Sequence, residues 1–382
     1  ELGDGQNSGK TMRRWMFLML LLPFGLKAQT VLPVSESGGA VTVKTDSVAT
    51  VKQKRNILTK VRDAIVWYLD YYDYDTAYIS PPKFYYTLMV QQSASFEQYT
   101  IRTTGERSQM LRFAPDHSYK LGAYFGWHGF FLGASVNADE LFSKRNGTNK
   151  KTEYFVNLYG AKVGADFFYR RTGNDFKIRR ADGFGPNGTD LPELGGMDFN
   201  GLKVRAMGLN VYYVFNNKHF SYPAAYAQTT VQKISRGTLV AGFSWSRHHL
   251  DFNHHLLPDP ICETLSDDLK FKQVKYVDFN INFGYAFNWE FVDNCLLAVA
   301  LTPAVAYKSS RITTENSIHN QRHHNLNLDF ITRAGLVYNN NRFFAGVSAV
   351  AHVYQYYQRN FALTDNFGIV NLYAGFNFGR RK

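Results

Sequence analysis

Residues 275–287 read KYVDFNINFGYAF, and a large apolar side chain stands at every second position from Val277 onward. Val277, Phe279 and Ile281 belong to one face, whereas Asp278 and Asn280 belong to the other. A period of two residues is that of a β-strand, whose successive side chains point to opposite faces. The polar face carries Asp, Asn, Gly and Ala, a composition typical of the lumen side of a transmembrane β-barrel rather than of the outside of a soluble sandwich.

The same alternation recurs along the chain and predicts an all-β fold, a transmembrane antiparallel up-and-down β-barrel of about twelve strands. An even number places both chain ends on one side of the membrane. The predicted strands are 84–102, 118–127, 129–138, 152–160, 162–170, 202–216, 237–251, 273–288, 293–308, 322–338, 342–356 and 366–379.

The connections between these strands alternate in length, as the short inner turns and long outer loops of such barrels do. Short connections are predicted at 128–129, 160–161, 288–292 and 339–341, and long ones at 103–117, 139–151, 171–201, 252–272, 309–321 and 357–365. The segment 217–236 breaks the rule, because it is long and falls on the periplasmic side. Such a loop is either functional or structured on its own.

Composition excludes several classes of protein. Beyond the first thirty residues no apolar run reaches the eighteen or so residues that a membrane-spanning helix needs. The net charge of +12 is spread over single residues and pairs, so a nucleic-acid partner is not expected, and anionic lipid head groups match the same charge. The two cysteines supply neither a disulfide framework nor a Cys-rich metal site.

The first 28 residues are predicted to be a leader. Met12-Arg13-Arg14 precedes the apolar run 15–22, and Ala28 follows, which is the order of a secretory signal peptide cut after Ala28. Met12 is the expected translation start. Residues 29–82 are predicted to be a periplasmic tail with an amphipathic helix at 57–72, and residues 83–382 the barrel. The helix could pack under the barrel mouth, anchor at the membrane surface or plug the pore.

Three stretches of the mature chain resemble an uncharacterised Bacteroidetes-type outer-membrane β-barrel family, domain of unknown function 4421. They are Asp73-Tyr74-Asp75-Thr76-Ala77-Tyr78-Ile79; Tyr159-Gly160-Ala161-Lys162 leading into Phe167-Phe168-Tyr169; and Phe215-Asn216 running through Phe220-Ser221-Tyr222-Pro223-Ala224-Ala225 to Gln232. The resemblance covers the chain from about residue 60 to its end. It implies a barrel in the outer membrane of a Gram-negative cell and supplies no catalytic residue.

The barrel lumen is the preferred candidate site, because inward polar side chains either pair across a filled interior or line an aqueous path. The residues predicted to line it are Lys162, Asp166, Arg205, Asp278, Asn280, Asn282, Asn327, Asp329, Arg333 and Asn371. The predicted function is therefore an integral outer-membrane barrel that is structural or a narrow, porin-like conduit for a small solute. Its expected partners are outer-membrane lipid and, during biogenesis, the barrel-assembly machinery.

The competing prediction is an outer-membrane enzyme acting on phospholipid or lipid A, for which Ser244, Ser246, His248 and His249 are the nearest candidates. Such chemistry needs a Ser, a His and a carboxylate in hydrogen-bonded order. Histidines that border two loops could also hold zinc or copper; they are His248, His249, His254, His255, His319, His323 and His324. Solvated loop histidines explain the same pattern, and no cofactor or metal is expected.

Overall fold

The computed structural model describes residues 73–105, 108–127, 130–137, 152–173, 175–314, 322–358 and 361–381, all of which belong to one compact unit. The predicted leader, the periplasmic tail and the amphipathic helix at 57–72 lie outside the described residues. So do the predicted turn at 128–129, the predicted loop at 139–151 and residues 315–321 of the predicted loop at 309–321, whose residues 309–314 instead continue a strand.

In the described part of the chain, twelve long strands form one antiparallel sheet, as the alternating pattern predicts. Within these residues each strand pairs with its neighbours in sequence, except that no pairing joins Phe130–Asn137 to Thr152–Tyr159. The strands are β1 (Phe84–Thr103), β2 (Ser118–Trp127), β3 (Phe130–Asn137), β4 (Thr152–Tyr159), β5 (Val163–Gly173), β6 (Leu202–Val214), β7 (Arg236–Phe252), β8 (Phe271–Val292), β9 (Cys295–Thr314), β10 (Arg322–Asn339), β11 (Phe343–Gln358) and β12 (Phe361–Arg380).

The first and last strands close the cylinder. β1 and β12 are antiparallel partners over their whole length, from the pair Phe84 and Arg380 at one end to the pair Thr103 and Phe361 at the other. This pairing joins the first strand to the last, which an open sheet of consecutive strands would leave as exposed edges. The fold is therefore an up-and-down β-barrel.

Turn lengths define two ends of the barrel. At the inner end β8 and β9 are joined by residues 293–294, where Asn294 adopts a positive φ of 64°, and β10 and β11 are joined by residues 340–342. At the outer end the connections carry additional structure. The predicted long loop at 357–365 is wrong, because β11 continues to Gln358 and β12 begins at Phe361. Consecutive aromatic residues interrupt the alternation of polar and apolar side chains at this position, so the sequence pattern does not indicate where the strands end.

Short elements occupy both ends. At the outer end the strand Met110–Pro115 pairs with β1 and with Phe176–Asp182, which also pairs with Asp198–Phe199. Helix α2 (Asp259–Thr264) lies in the connection from β7 to β8. At the inner end helix α1 (Tyr222–Tyr226) lies between β6 and β7.

No helix in the part of the chain that the structure describes is long and apolar enough to cross a membrane.

The two faces of each strand differ in chemistry as well as in exposure. On β8, Phe279, Ile281 and Phe283 are exposed on the outside of the cylinder, with Ile281 reaching 71%. Their neighbours Asp278 and Asn280 are buried inside. An exposed belt of large apolar side chains around a buried polar interior is the arrangement that a hydrocarbon environment favours.

Candidate functional site in the barrel interior

A buried lysine joins two carboxylates in the middle of one wall. Lys308 on β9 donates from Nζ to Asp278 Oδ2 on β8 at 2.8 Å and to Asp329 Oδ2 on β10 at 2.9 Å. All three side chains are almost completely buried. Charges removed from water need partners, since an isolated buried charge is strongly unfavourable. The inward register of three adjacent strands brings these partners together.

A second ion pair crosses the lumen. Arg333 on β10 binds Asp166 on β5, a strand on the far side of the cylinder. Asp166 Oδ2 also accepts a hydrogen bond from Asn210 Nδ2 at 3.0 Å, and Asn210 Oδ1 accepts one from the Ser244 hydroxyl at 2.7 Å. These four side chains are at most 6% exposed. The interior is therefore filled at this level.

A third cluster links β5 to the closing pair of strands. Arg170 donates to Glu97 Oε1 on β1 at 3.0 Å and to Asp365 Oδ2 on β12 at 2.8 Å. Thr172 donates its hydroxyl proton to Glu97 Oε2 at 2.8 Å. The guanidinium also lies 3.5 Å from the centre of the Phe367 ring, a cation–π contact. Arg170 is therefore held from three sides across the barrel.

Three of these interior residues stand in the order of a catalytic triad. Ser246 Oγ is 3.0 Å from His248 Nε2, and His248 Nδ1 is 3.3 Å from Asp365 Oδ2. A Ser, a His and an Asp in this order can generate a nucleophilic hydroxyl. Ser246, however, is 1% exposed, and the Tyr276 ring stacks on His248 at 4.5 Å. A lipid or peptide substrate has no approach to this hydroxyl in the structure.

An inner plug closes the end of the barrel that carries the short turns. The plug consists of residues 216–235, in the long connection between β6 and β7. The sequence analysis predicted that this connection is either functional or structured on its own. Ser221 caps α1 by accepting a hydrogen bond from the Ala224 N–H at 3.3 Å. Ala224 and Ala225 pack inside the barrel against Leu296 and Tyr373, so the segment is ordered and lies in the lumen.

Hydrogen bonds between the wall and the inner plug hold the plug in place. Asn288 donates to the Ser221 carbonyl at 2.9 Å and Asn339 to the Gln228 carbonyl at 3.2 Å. These two bonds satisfy backbone groups that enter the interior without a strand partner. From the plug, the Gln228 side chain donates to the Tyr373 hydroxyl at 2.8 Å.

An outer cap closes the other end. It is an apolar core that the connections between strands build over the lumen. Phe113 stacks on Phe199 at 4.9 Å, and Phe252 packs on Phe271 at 5.1 Å. Ile261 of α2 is completely buried among them. The apolar outer cap therefore closes the outer end of the lumen, and the hydrogen-bonded inner plug closes the inner end. The buried ion pairs lie between them.

The structure places the ten predicted lumen residues as follows. Seven are buried inside the barrel: Asp166, Asp278, Asn280, Asn282, Asn327, Asp329 and Arg333. Asn371 is partly buried and accepts a hydrogen bond from Gln91 at 3.1 Å. Lys162 lies instead in the turn before β5, 3.9 Å from Asp73.

Arg205 is exposed on the outer wall, contrary to the prediction. On β6 the residues Val204 and Ala206 point inward, so the intervening arginine must point outward. Gly208 and Asn210 occupy inward positions on the same strand, and counting back from them in steps of two residues would have placed Arg205 on the outer face.

Several interior residues were missed, although the same two-residue period identifies them. Arg170 follows Asp166 at a spacing of four on β5, and Lys308 follows Ala304 and Ala306 on the inward face of β9. Glu97 and Asp365 occupy inward positions in the same way. A charged residue that stands an even number of positions from small inward residues on the same strand can be predicted to point into the lumen.

The histidines do not assemble into a metal site within the described residues, where no group of three His, Cys, Asp or Glu side chains could hold an ion. His248 belongs to the interior, whereas His249 on the outer wall is 3.0 Å from Asp251. His254 is buried near the outer cap, and His319 lies outside the described residues. Adjacent histidines on a strand point to opposite faces, which separates them.

The fold and the interior define a membrane-type β-barrel, and comparison with sequence families agrees. A family described as Domain of unknown function (DUF4421) matches residues 73–378. The chain belongs to this family, as the aromatic and glycine motifs indicate. No curated protein matches the sequence.

Several solved outer-membrane proteins are similar in structure to this chain. The outer membrane protease OmpT of Escherichia coli is 7% identical, with 81% of this chain and 100% of that chain covered and a TM-score of 0.36. OprG of Pseudomonas aeruginosa is 8% identical, with 78% and 98% covered and a TM-score of 0.25. Ail of Yersinia pestis is 8% identical, with 75% and 97% covered and a TM-score of 0.22. Similarities this distant carry no argument about activity.

Proposed function

We propose that this protein is an integral outer-membrane barrel with a closed lumen and a structural role, holding its outer cap at the cell surface. The observation that carries the proposal is the Arg333–Asp166 ion pair, which spans the lumen between opposite walls. The outer cap and the inner plug close the interior on either side of this pair. A solute passing through would have to break all three barriers.

Conductance in planar bilayers tests this function. The purified protein should give no discrete current steps, while a porin reconstituted in the same lipid serves as positive control. Discrete steps from the unmodified protein would instead support the narrow solute path that the sequence left open. Insertion must be verified in the same preparation by protection of the barrel from added protease.

An enzyme acting on phospholipid or lipid A is the second candidate, because Ser246, His248 and Asp365 have the required hydrogen-bonded order. Burial of the hydroxyl opposes it. A fluorophosphonate probe should fail to label the folded protein, and the mass of phospholipid or lipid A incubated with it should not change. Labelling that disappears in Ser246→Ala but persists in Ser244→Ala would favour the enzyme.

The proposed location is the outer membrane, with the outer cap facing the exterior. The exposed apolar belt supports a lipid environment, and the signal sequence supports export with cleavage after Ala28. Barrel-assembly machinery is the expected partner during insertion. Fractionation should find the protein in outer membranes and soluble only in detergent. Sequencing of its amino terminus should begin at Gln29, whereas recovery in the soluble periplasm would contradict the proposal.

A further inference from the structure

Basic residues form one continuous row across the outside of five neighbouring strands. Each is the direct ladder partner of the next from β5 to β9. We call this set the basic row; its members are Arg171, Arg205, His249, Lys275 and Arg311. Because neighbouring strands lie about 4.8 Å apart, the row extends roughly 19 Å around the wall.

The row faces away from the lumen. Arg171, Arg205, Lys275 and Arg311 are exposed, and the residues beside them on each strand are buried inside. Within the described residues none of these four forms an ion pair. His249 is partly exposed and is hydrogen-bonded to Asp251. Four positively charged side chains therefore project from the wall without a carboxylate partner among the residues that the structure describes.

The rows directly above and below do not supply that counter-charge. The row above consists of Gly173, Lys203, Asp251, Gln273 and Thr313, and the row below of Tyr169, Met207, Arg247, Val277 and Ser309. Together with the basic row they contain six Lys and Arg residues and one carboxylate. Like charges directly opposite on neighbouring strands repel each other. Such a surface is stabilised by external anions.

The position of the row on the barrel indicates which anions these are. Four residues further toward the inner end, the same five strands present Phe167, Leu209, Trp245, Phe279 and Tyr307. Aromatic side chains mark the boundary of the hydrocarbon layer. Both rows cross tilted strands and are therefore inclined to the membrane plane, but on each strand the basic residue lies about 13 Å further along the strand, or roughly 10 Å further out along the membrane normal. The basic row therefore lies on the outer side of the aromatic residues, where the lipid head groups and their phosphates are.

We propose that the basic row is a lipid-binding site for the phosphate groups of a phosphorylated glycolipid of the lipid A class in the outer leaflet. The proposal rests on the outer-membrane location proposed above, but not on the closed lumen. Arg guanidinium groups bind phosphate through paired hydrogen bonds, and a Lys supplies a further positive charge. Several phosphates held at fixed spacing would form an ordered shell of lipid on this side of the barrel.

Lipid retention tests the proposal. The full chain is refolded into neutral detergent with bisphosphorylated lipid A, and the lipid that remains bound after gel filtration is measured by mass spectrometry. The test variant is Arg171→Gln/Arg205→Gln/Lys275→Gln. The matched control, Lys83→Gln/Arg102→Gln/Arg380→Gln, removes the same charge from exposed positions outside the three rows. Heat-shifted gel migration verifies the fold of each protein.

The row variant should retain lipid about 100-fold more weakly, since each of the three basic residues contributes about fivefold to binding at a lipid surface. The control should bind as the unmodified protein does, and fully dephosphorylated lipid A should bind to neither. Equal loss in the control, or equal binding of the dephosphorylated lipid, would overturn the proposal. So would displacement by millimolar inorganic phosphate, which would indicate a site for soluble anions.

Two measurements remain decisive if the row variant fails to fold. The unmodified protein should lose bound lipid A between about 0.05 and 0.5 M NaCl, because salt screens exposed charges. The charge-preserving variant Arg171→Lys/Arg205→Lys/Arg311→Lys should keep most of the lipid. Retention that is insensitive to salt contradicts a phosphate site. Bilayer conductance, measured separately, reports on the closed lumen alone.

Discussion

Replacing Lys308 by Met is the most direct test of a dry interior. The ammonium group is completely buried and binds Asp278 and Asp329 at 2.8 and 2.9 Å. Methionine keeps most of the side-chain volume but leaves both carboxylates without their cation. Removing one partner of a buried ion pair costs about 3–5 kcal/mol, and two stranded carboxylates place this variant at the upper end of that range.

The loss is measured as a change in the free energy of unfolding by urea titration in phospholipid vesicles, with tryptophan fluorescence as the signal. The triple variant Lys308→Met/Asp278→Asn/Asp329→Asn is the matched control. It removes all three charges and should lie within about 1–2 kcal/mol of the unmodified protein. A cost below about 1 kcal/mol for Lys308→Met alone, the range of water-exposed pairs, would refute the filled lumen.

Three further substitutions or labels test other parts of the barrel. Gly284→Ala should cost about 1–3 kcal/mol of unfolding free energy, because a Cβ there would meet the Leu301 carbonyl, which the ladder holds in place; a neutral result in the same urea titration would refute this register. Tyr373→Phe should cost about 0.5–1.5 kcal/mol through the lost bond to the inner plug, measured likewise. Maleimide labelling of the denatured, unreduced chain should modify both Cys262 and Cys295, which are free thiols, and modification of neither would indicate a bridge.

Strand number and wall chemistry could be predicted from the sequence because the lipid side and the lumen side impose a strict period of two. The stretch 275–287 shows this, and Phe279 and Asp278 lie on the faces that it indicates. Strand ends could not be predicted as well. Beyond the membrane the strands continue into the outer cap, where both faces are apolar and the alternation disappears, as at Tyr356 and Phe361.

The interior residues could be predicted, but their partners could not. Asp166 and Arg333 stand 167 positions apart in sequence, and only closure of the cylinder brings them into contact. The inner plug was recognised by its unusual length alone. Its apolar residues Phe220 and Tyr222 carry no periodic signal, since a five-residue helix is too short to show one.

The inner plug also constrains the order of assembly. The segment leaves β6, enters the lumen and returns to β7, yet Asn339 and Asn377, which hold its Gln228 carbonyl, belong to strands β10 and β12. The plug can therefore form its complete set of hydrogen bonds only once both of these late strands are in place. A barrel that lacks its last strand would leave the Gln228 carbonyl without the Asn377 donor, so the end of the chain completes the anchoring of its middle.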